Sequence, residues 1–391
     1  MKTNQNLAFA VLATRKVVPL FGLQITLAGV FAFLAVPAPA DTFGSGANTF
    51  TIDFVDIGNP GNGDDLGAGG GSYSSPYGGV DYMYRMGVTE APQEWITKAT
   101  SLGMTNVTAG SWTGRQPAAD MTWYEAAAFV NWLNTSTGHQ PAYDLTYSGG
   151  WSMRLWSSAQ AWQTGGENLY RHKDAFYFLP SEDESYKAAF HKNDGVTANY
   201  WDYATGSNEI PTAVASGTGA GTVVYDQASG SPPATVDNTG GLSPFGTRGQ
   251  TGNAGEMKES AFDRLNDSPT ESRVRGGGRW FIGQSGLLPS NRNEHDLSIT
   301  SASFGFRVAS APEPARLQAL GAGILRIQSS KGMVFEVQTS VVAPDHPDQS
   351  HRYAGVHGPR CGEPFAALLP NVASVTGGRR NTLQRNDGMT A

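Results

Sequence analysis

Val274-Arg275-Gly276-Gly277-Gly278-Arg279-Trp280 is the stretch on which the reading of the fold turns. Three glycines in a row suggest a phosphate cradle, but no strand-to-helix fingerprint surrounds them, so a dinucleotide-binding α/β unit is excluded. They read instead as a strand or bulge that another backbone approaches closely. Upstream, two helix starts are written plainly. Thr122-x-x-Glu125 fits a capping box, and Ala126, Phe129, Val130 and Leu133 follow on one apolar face, with Asn134 and Gly138 at the exit. Ser181-x-x-Glu184 repeats the pattern ahead of Tyr186, Ala188, Ala189 and Phe190. Further upstream, Phe50 to Ile57 predicts an opening strand, and Val80, Tyr82, Tyr84, Met86 and Val88 alternate as in a half-buried strand. Thr89 is the expected N-cap of a short helix carrying Trp95, Ile96 and Ala99. The rest, including Tyr200-Trp201-Asp202-Tyr203 and the β-prone Thr222 to Tyr225, is mostly loop rich in Gly, Ser and Thr.

Composition narrows the function. The 391 residues hold 49 Gly and 22 Pro, yet nine Trp and 18 Phe suffice for a sizeable core. A formal charge of -7 argues against a nucleic-acid partner, which needs a basic face. A single cysteine excludes a disulfide framework, a thiolate zinc cluster and a two-cysteine redox centre within one chain.

The ends carry targeting signals. Lys2, Arg15 and Lys16 precede an apolar run from Val17 to Val36, and Ala38-Pro39-Ala40 offers a small-x-small site before Asp41. Residues 1–40 thus read as a signal peptide, with an uncleaved membrane anchor as the alternative. Either way the protein is expected to be exported, extracellular or in a bacterial cell envelope. After residue 310 comes Ala311-Pro312-Glu313-Pro314 and a short run to Ile327 that Arg316 and Arg326 interrupt. Residues 328–391 show no sustained helical or strand period and are expected to be a disordered or unassigned tail. Their His346, His351, His357 and Cys361 match no usual zinc spacing.

Taken together, seven segments in order resemble the formylglycine-generating enzyme, or sulfatase-modifying factor, family. Gly87-Val88-Thr89 resembles its Glu-Val-Thr, Thr122-Trp123-Tyr124-Glu125-Ala126 its Ser-Trp-x-Asp-Ala, and Leu179-Pro180-Ser181-Glu182 its Leu-Pro-Thr-Glu. Asn199-Tyr200-Trp201-Asp202 and Gly252-Asn253-Ala254-Gly255-Glu256-Met257 are similar to two further loop motifs. Val274-Arg275-Gly276-Gly277 and Gly305-Phe306-Arg307-Val308 are similar to the closing ones. The resemblance covers about residues 50 to 309, within an expected domain at 41–310. Ala311-Pro312-Glu313-Pro314 resembles the opening of a PEP-CTERM sorting signal, degenerate over 311–327 because no intact span or basic cluster follows.

The resemblance implies an α+β fold on a C-type-lectin-like scaffold with little regular secondary structure. It also implies an oxidoreductase that converts a sulfatase cysteine to formylglycine with oxygen and copper held by two cysteines. Their places fall at Ile282 and Leu287, and Trp280 to Asp296 contains no cysteine. Copper binding needs thiolate, so copper is not expected and the catalytic set is empty. The expectation is a pseudoenzyme, a non-catalytic module binding a protein, peptide or glycan at the surface. The alternatives are an enzyme of the family with related oxidation chemistry and a passive surface protein. The resemblance further implies calcium (Ca2+) sites, one at Asn199 and Tyr200, another at Gly252, Ala254 and Glu256. Gly249 replaces an upstream oxygen ligand there, and loop capping by Asn199, Asn253 and Glu256 is the competing reading. Arg307 is expected to pair with a buried carboxylate. Glu294-His295-Asp296 is expected to be a solvated loop, and Trp280, Phe281 and Tyr203 to be either core or groove.

Overall fold

A computed structural model describes residues 40–67, 76–108 and 110–312, and the strand backbone at 322–328 and 334–340. The signal-peptide segment 1–39, the PEP-CTERM-like residues 313–320, and His346, His351, His357 and Cys361 lie outside the described residues. The chain divides into two units, Met1–Leu320 and Gly321–Ala391.

In chain order the first unit forms β1 (Asp41–Phe43), β2 (Phe50–Ile52), β3 (Phe54–Ile57), β4 (Tyr84–Gly87), α1 (Gln93–Ser101) and α2 (Trp123–Ser136). Two small hairpins follow, β5 (Asp144–Tyr147) with β6 (Trp151–Arg154) and β7 (Ala161–Trp162) with β8 (Asn168–His172). Then come β9 (Tyr177–Phe178), α3 (Glu182–Phe190), β10 (Thr212–Ala213), β11 (Thr222–Val223), β12 (Gly255–Ala261), β13 (Arg273–Gly276), β14 (Arg292–His295), β15 (Phe304–Phe306) and β16 (Ala309–Ser310).

Two four-stranded sheets dominate. One runs β3-β4-β16-β9, antiparallel throughout. The other runs β14-β13-β12-β15, antiparallel except for the parallel pair β12 and β15. The segment Phe304 to Ser310 supplies a strand to each, so residue Arg307 sits at the crossing between them.

Both capping boxes form. Thr122 Oγ1 accepts from the Glu125 amide at 3.2 Å, and Glu125 Oε2 accepts from the Thr122 amide at 2.8 Å. At α3 the Ser181 hydroxyl accepts from the Glu184 amide at 3.1 Å, and Glu184 Oε2 accepts from the Ser181 amide at 2.6 Å. Each satisfies helix-end amides that have no partner within the helix. Ala126, Phe129, Val130 and Leu133 are fully buried in the main core, as their spacing predicts.

Three expectations need correction. The stretch from Phe50 to Ile57 breaks at Asp53, so β2 pairs with β1 while β3 pairs with β4. The alternating run from Val80 to Val88 yields only β4, a central strand between β3 and β16 whose four residues are all buried. Its Arg85 points inward and is held by Asp41 at 2.6 Å and the Ser310 hydroxyl at 2.8 Å. Thr89 does not cap α1, whose N-cap is Pro92. The Val88 and Ala91 amides are tied to the carbonyls of Asp53 and Phe306, which holds residues 88 to 91 out of a helix until the proline.

The glycine run behaves as read. A Cβ at Gly277 (φ +90°) would meet the Gln250 carbonyl oxygen at 2.7 Å, and one at Gly278 (φ +74°) the Gly286 carbonyl oxygen at 2.7 Å. Both conditions demand glycine. In the second unit, Ala322–Gln328 and Val334–Ser340 pair as antiparallel strands. A strand pair therefore lies where the sequence showed no strand period beyond residue 328. Among the described residues no helix is long and apolar enough to cross a membrane.

Candidate functional site

The loop leaving β13 carries Ile282 and Leu287, the two positions that the resemblance sets against the family's cysteines. Leu287 closes a short 3-10 turn, is 1% exposed, and packs with Tyr203, Val223 and Tyr225. Ile282 is half-buried, its amide bonded to the Arg279 carbonyl and its carbonyl to the Asp226 amide. A Cβ at Gly286 would come within 2.7 Å of Ile282 Cγ2, so little room separates the two positions. Trp280 is buried against Val224 and Ala234, edge-on to Trp112 at 5.9 Å. Tyr203 is buried too, so both aromatics belong to packing, while Phe281 is half-buried.

The segment matched to the second calcium loop is internally occupied. Gly252 (φ +80°) donates its amide to the Gly277 carbonyl at 2.5 Å. The Ala254 amide reaches Glu90 Oε1 at 2.9 Å, and Asn253 Nδ2 reaches Glu90 Oε2 at 2.6 Å. Glu256 Oε1 accepts from Arg307 Nη2 at 2.7 Å and Nε at 3.0 Å, which is the structural pairing expected of Arg307. Gly249 brings no oxygen side chain, and a Cβ there would lie 3.5 Å from Glu90 Cδ and 2.7 Å from Thr239 Oγ1. Burial pushes the Glu90 carboxyl up to about 8, helped by the Glu256 charge and opposed by Asn253, Arg307 and the Ala254 amide.

The loop expected to hold the first calcium is likewise engaged. Asn199 donates to Asp194 Oδ2 at 2.9 Å on an exposed turn, and its carbonyl accepts from the Lys192 amide. Tyr200 donates to the Gly63 carbonyl at 2.9 Å and accepts from Asn62 at 2.7 Å. Among the described residues no three His, Cys, Asp or Glu side chains gather as a metal site would need. Calcium takes six to eight oxygens. The side chains of Asn199, Tyr200 and Glu256 are turned to protein partners.

A second centre was only half legible in the sequence. Arg171 on β8 is 1% exposed and grips Glu184 with two parallel bonds of 2.9 Å. Its Nε and Nη2 also reach Glu259 on β12, at 2.9 and 2.6 Å. Its guanidinium lies 3.6 Å from the Phe178 ring centroid. Burial alone would push Glu184 up, but Arg171 outweighs it and holds the carboxyl below its ordinary value. For Glu259 burial wins over the same cation, and that carboxyl is raised. One guanidinium cannot fully compensate two buried carboxylates. Glu184 announced itself as a helix cap, whereas its partners carry no local signal. Beside this centre opens a polar cavity of about 260 Å³ lined by residues such as Asp81, Tyr82, Trp162, Asp183 and Arg264. Burial raises Asp183 to about 6, against the pull of the Gly78 amide.

Glu294 and His295 correct a further expectation. They belong to β14, and His295 is 2% exposed. Burial pushes its imidazole down to about 4, with Arg275 adding to the shift.

A two-sheet α+β domain with these cap, loop and arginine–carboxylate motifs defines a sulfatase-modifying-factor-like protein. The family model "Sulfatase-modifying factor enzyme 1-like domain" matches residues 82–312, more than half of the chain, and the chain belongs to that family. Among solved structures it is similar to Treponema denticola variable protein 1, at 19% identity and TM-score 0.49 over 70% of this chain and 100% of that one. It is also similar to CarF, at 18% identity and TM-score 0.46 over 67% and 99%. PvdO from Pseudomonas aeruginosa is similar at 14% identity and TM-score 0.42 over 70% and 99%. No curated protein matches.

Proposed function

We propose that this protein is an exported, non-catalytic member of its family, a module that binds a peptide, glycan or protein through loops on a lectin-like scaffold. The observation that carries the reading is Leu287. Where the family's chemistry asks for a thiolate, an apolar side chain is 1% exposed and forms part of a packed cluster with two tyrosines and a valine. Neither it nor Ile282 offers a donor that could hold Cu(I) or cycle between redox states. The export leader and the degenerate sorting motif at 311–327 support a place in the cell envelope.

The test is copper titration of the purified protein with oxygen uptake on a Cys-x-Pro-x-Arg peptide. Background rates are expected. Stoichiometric Cu(I) uptake with aldehyde formation overturns the proposal and restores the oxidoreductase reading. A glycan and peptide array then separates a binding module, which gives specific hits, from a passive surface protein, which gives none.

A further inference from the structure

We propose that Arg275 and Arg279 form a binding site for an oxyanion, a carboxylate or sulfate group carried by the ligand of this module. The inference rests on the binding-module reading and deepens it by naming a ligand chemistry.

The site is built by an absence of side chain. Gly255 opens β12 opposite Phe304 of β15, while Arg275 sits one strand over on β13. A Cβ at Gly255 would lie 3.2 Å from Arg275 Nη1 and 3.6 Å from Arg279 Cγ. Because it is glycine, both arginines lie across the strand. Their guanidinium carbons stand 3.9 Å and 5.4 Å from the centroid of the same Phe304 ring. Arg279 also lies 4.9 Å from the half-buried Phe281 ring.

Elsewhere this chain answers its buried arginines with acid. Arg85, Arg171, Arg273 and Arg307 each have a carboxylate oxygen within 4.0 Å. Arg275 and Arg279 make no ion pair among the described residues, and the Nε of each is buried without a hydrogen-bond partner there. Among the described residues the one side-chain bond of Arg279 is a long one, 3.5 Å to the Ser303 hydroxyl. Nearby acids are turned elsewhere: Glu271 accepts from the Ser268 amide and lies 4.0 Å from Arg273 Nη1. Glu294 pairs with Val274 and so projects from the other face of the sheet, and Asp296 is bonded to Ser298.

Two like charges gathered without a counter-ion oppose folding, and stacking on one phenyl ring offsets only part of that cost. Burial, with Arg279 beside it, lowers Arg275 to about 10, which still leaves it cationic at neutral pH. His295 stands edge-on to Phe304 at 5.5 Å, and its imidazole is depressed first by burial and then by Arg275, with Asp296 opposing. An oxyanion offers several lone pairs to two planar forks, the geometry in which guanidinium pairs are strongest. Both arginines are half-buried rather than sealed, so a ligand group can reach them.

The experiment titrates the full chain at low ionic strength with sodium sulfate and, separately, sodium glucuronate. Binding is followed by calorimetry and by the His295 imidazole signals in NMR. Saturable binding of either anion, with the His295 pKa rising as the arginine charge is met, is the expected result. A response to sulfate alone identifies a sulfate-type group, and one to glucuronate alone a carboxylate. Arg279→Gln and Arg275→Gln should each weaken binding by about tenfold or more. If Arg275→Gln fails to fold, Arg279→Gln and the wild-type His295 titration decide. No saturable change at His295 with either anion, or unchanged affinity in a folded Arg279→Gln variant, overturns the proposal. That failure leaves the binding-module reading standing, whereas copper-dependent turnover would sink that reading without touching the anion titration.

Discussion

Replacing Arg171 by Met removes a cation whose guanidinium is held by four carboxylate oxygens, two from Glu184 and two from Glu259. Both acids are fully buried, so the variant leaves two uncompensated carboxylates facing each other. Breaking a buried pair in this way costs about 3–5 kcal/mol. For a domain of this size each kcal/mol moves Tm by about 2–4 °C, so a drop of roughly 6–20 °C is expected by calorimetry. Glu259→Gln should cost far less, because it leaves Arg171 matched to Glu184 and keeps an oxygen for the Tyr143 hydroxyl at 3.0 Å. The double variant should fall short of the sum of the singles, since each change removes part of the same strain. The pH dependence has a definite sign. Glu184 is held below its ordinary value, so its stabilisation is present above the unfolded-state pKa and is lost as pH falls through the folded one. Arg171→Met has none of it to lose, and its deficit against wild type should narrow in acid. An Arg171→Met protein that melts within about 2 °C of wild type at neutral pH refutes the reasoning.

Two further outcomes follow from the buried loop around Asn253. Because the folded pKa of Glu90 is about 8 and the unfolded value is near the ordinary one, the unfolded state binds fewer protons between them. Glu90 therefore makes stability fall as pH rises through that window. Urea midpoints of Glu90→Gln should show a shallower decline, by up to about 1.4 kcal/mol per pH unit, and an unchanged slope counts against it. With Glu256 committed to Arg307 and Gly249 lacking an oxygen, millimolar calcium or a chelator should leave Tm unchanged, and a calcium-dependent rise of several degrees would contradict the arrangement described.

Local chemistry was legible and distant pairing was not. Thr122 and Glu125 lie three apart, and so do Ser181 and Glu184, so their capping boxes could be read directly and both form. The three glycines after Arg275 could be read because close approach and positive φ leave few residues able to serve. Thr89 misled because its segment is held through Val88 to Asp53 and through Ala91 to Phe306, partners 35 and 215 residues away in numbering that no local pattern records. Alternation failed at β4 for a related reason: a central strand covered on both faces has no polar side to display, and Arg85 is inside. At the candidate site the identities of Ile282 and Leu287 were plain, but the pairing of Arg275 with Arg279 over Phe304 depends on sheet register.

The contacts that hold the frame are separate from those at the loop carrying Ile282 and Leu287. Arg307 ties the crossing between the sheets through Glu256 and the carbonyls of Gly87 and Arg248. Arg171 ties α3 to β8 and β12 through Glu184 and Glu259. None of these bonds passes through residues 282 to 287. An apolar side chain at 287 adds burial to the tyrosine cluster, a gain of about 1.5–3 kcal/mol that a smaller thiol could not match in full. An apolar residue at 287 is thus compatible with the frame and favourable to local packing. The Arg275–Arg279 pair gains nothing comparable within the described residues. Its charge has a physical purpose only if something outside those residues answers it, which is why the anion titration is the measurement that bears most directly on what this surface does.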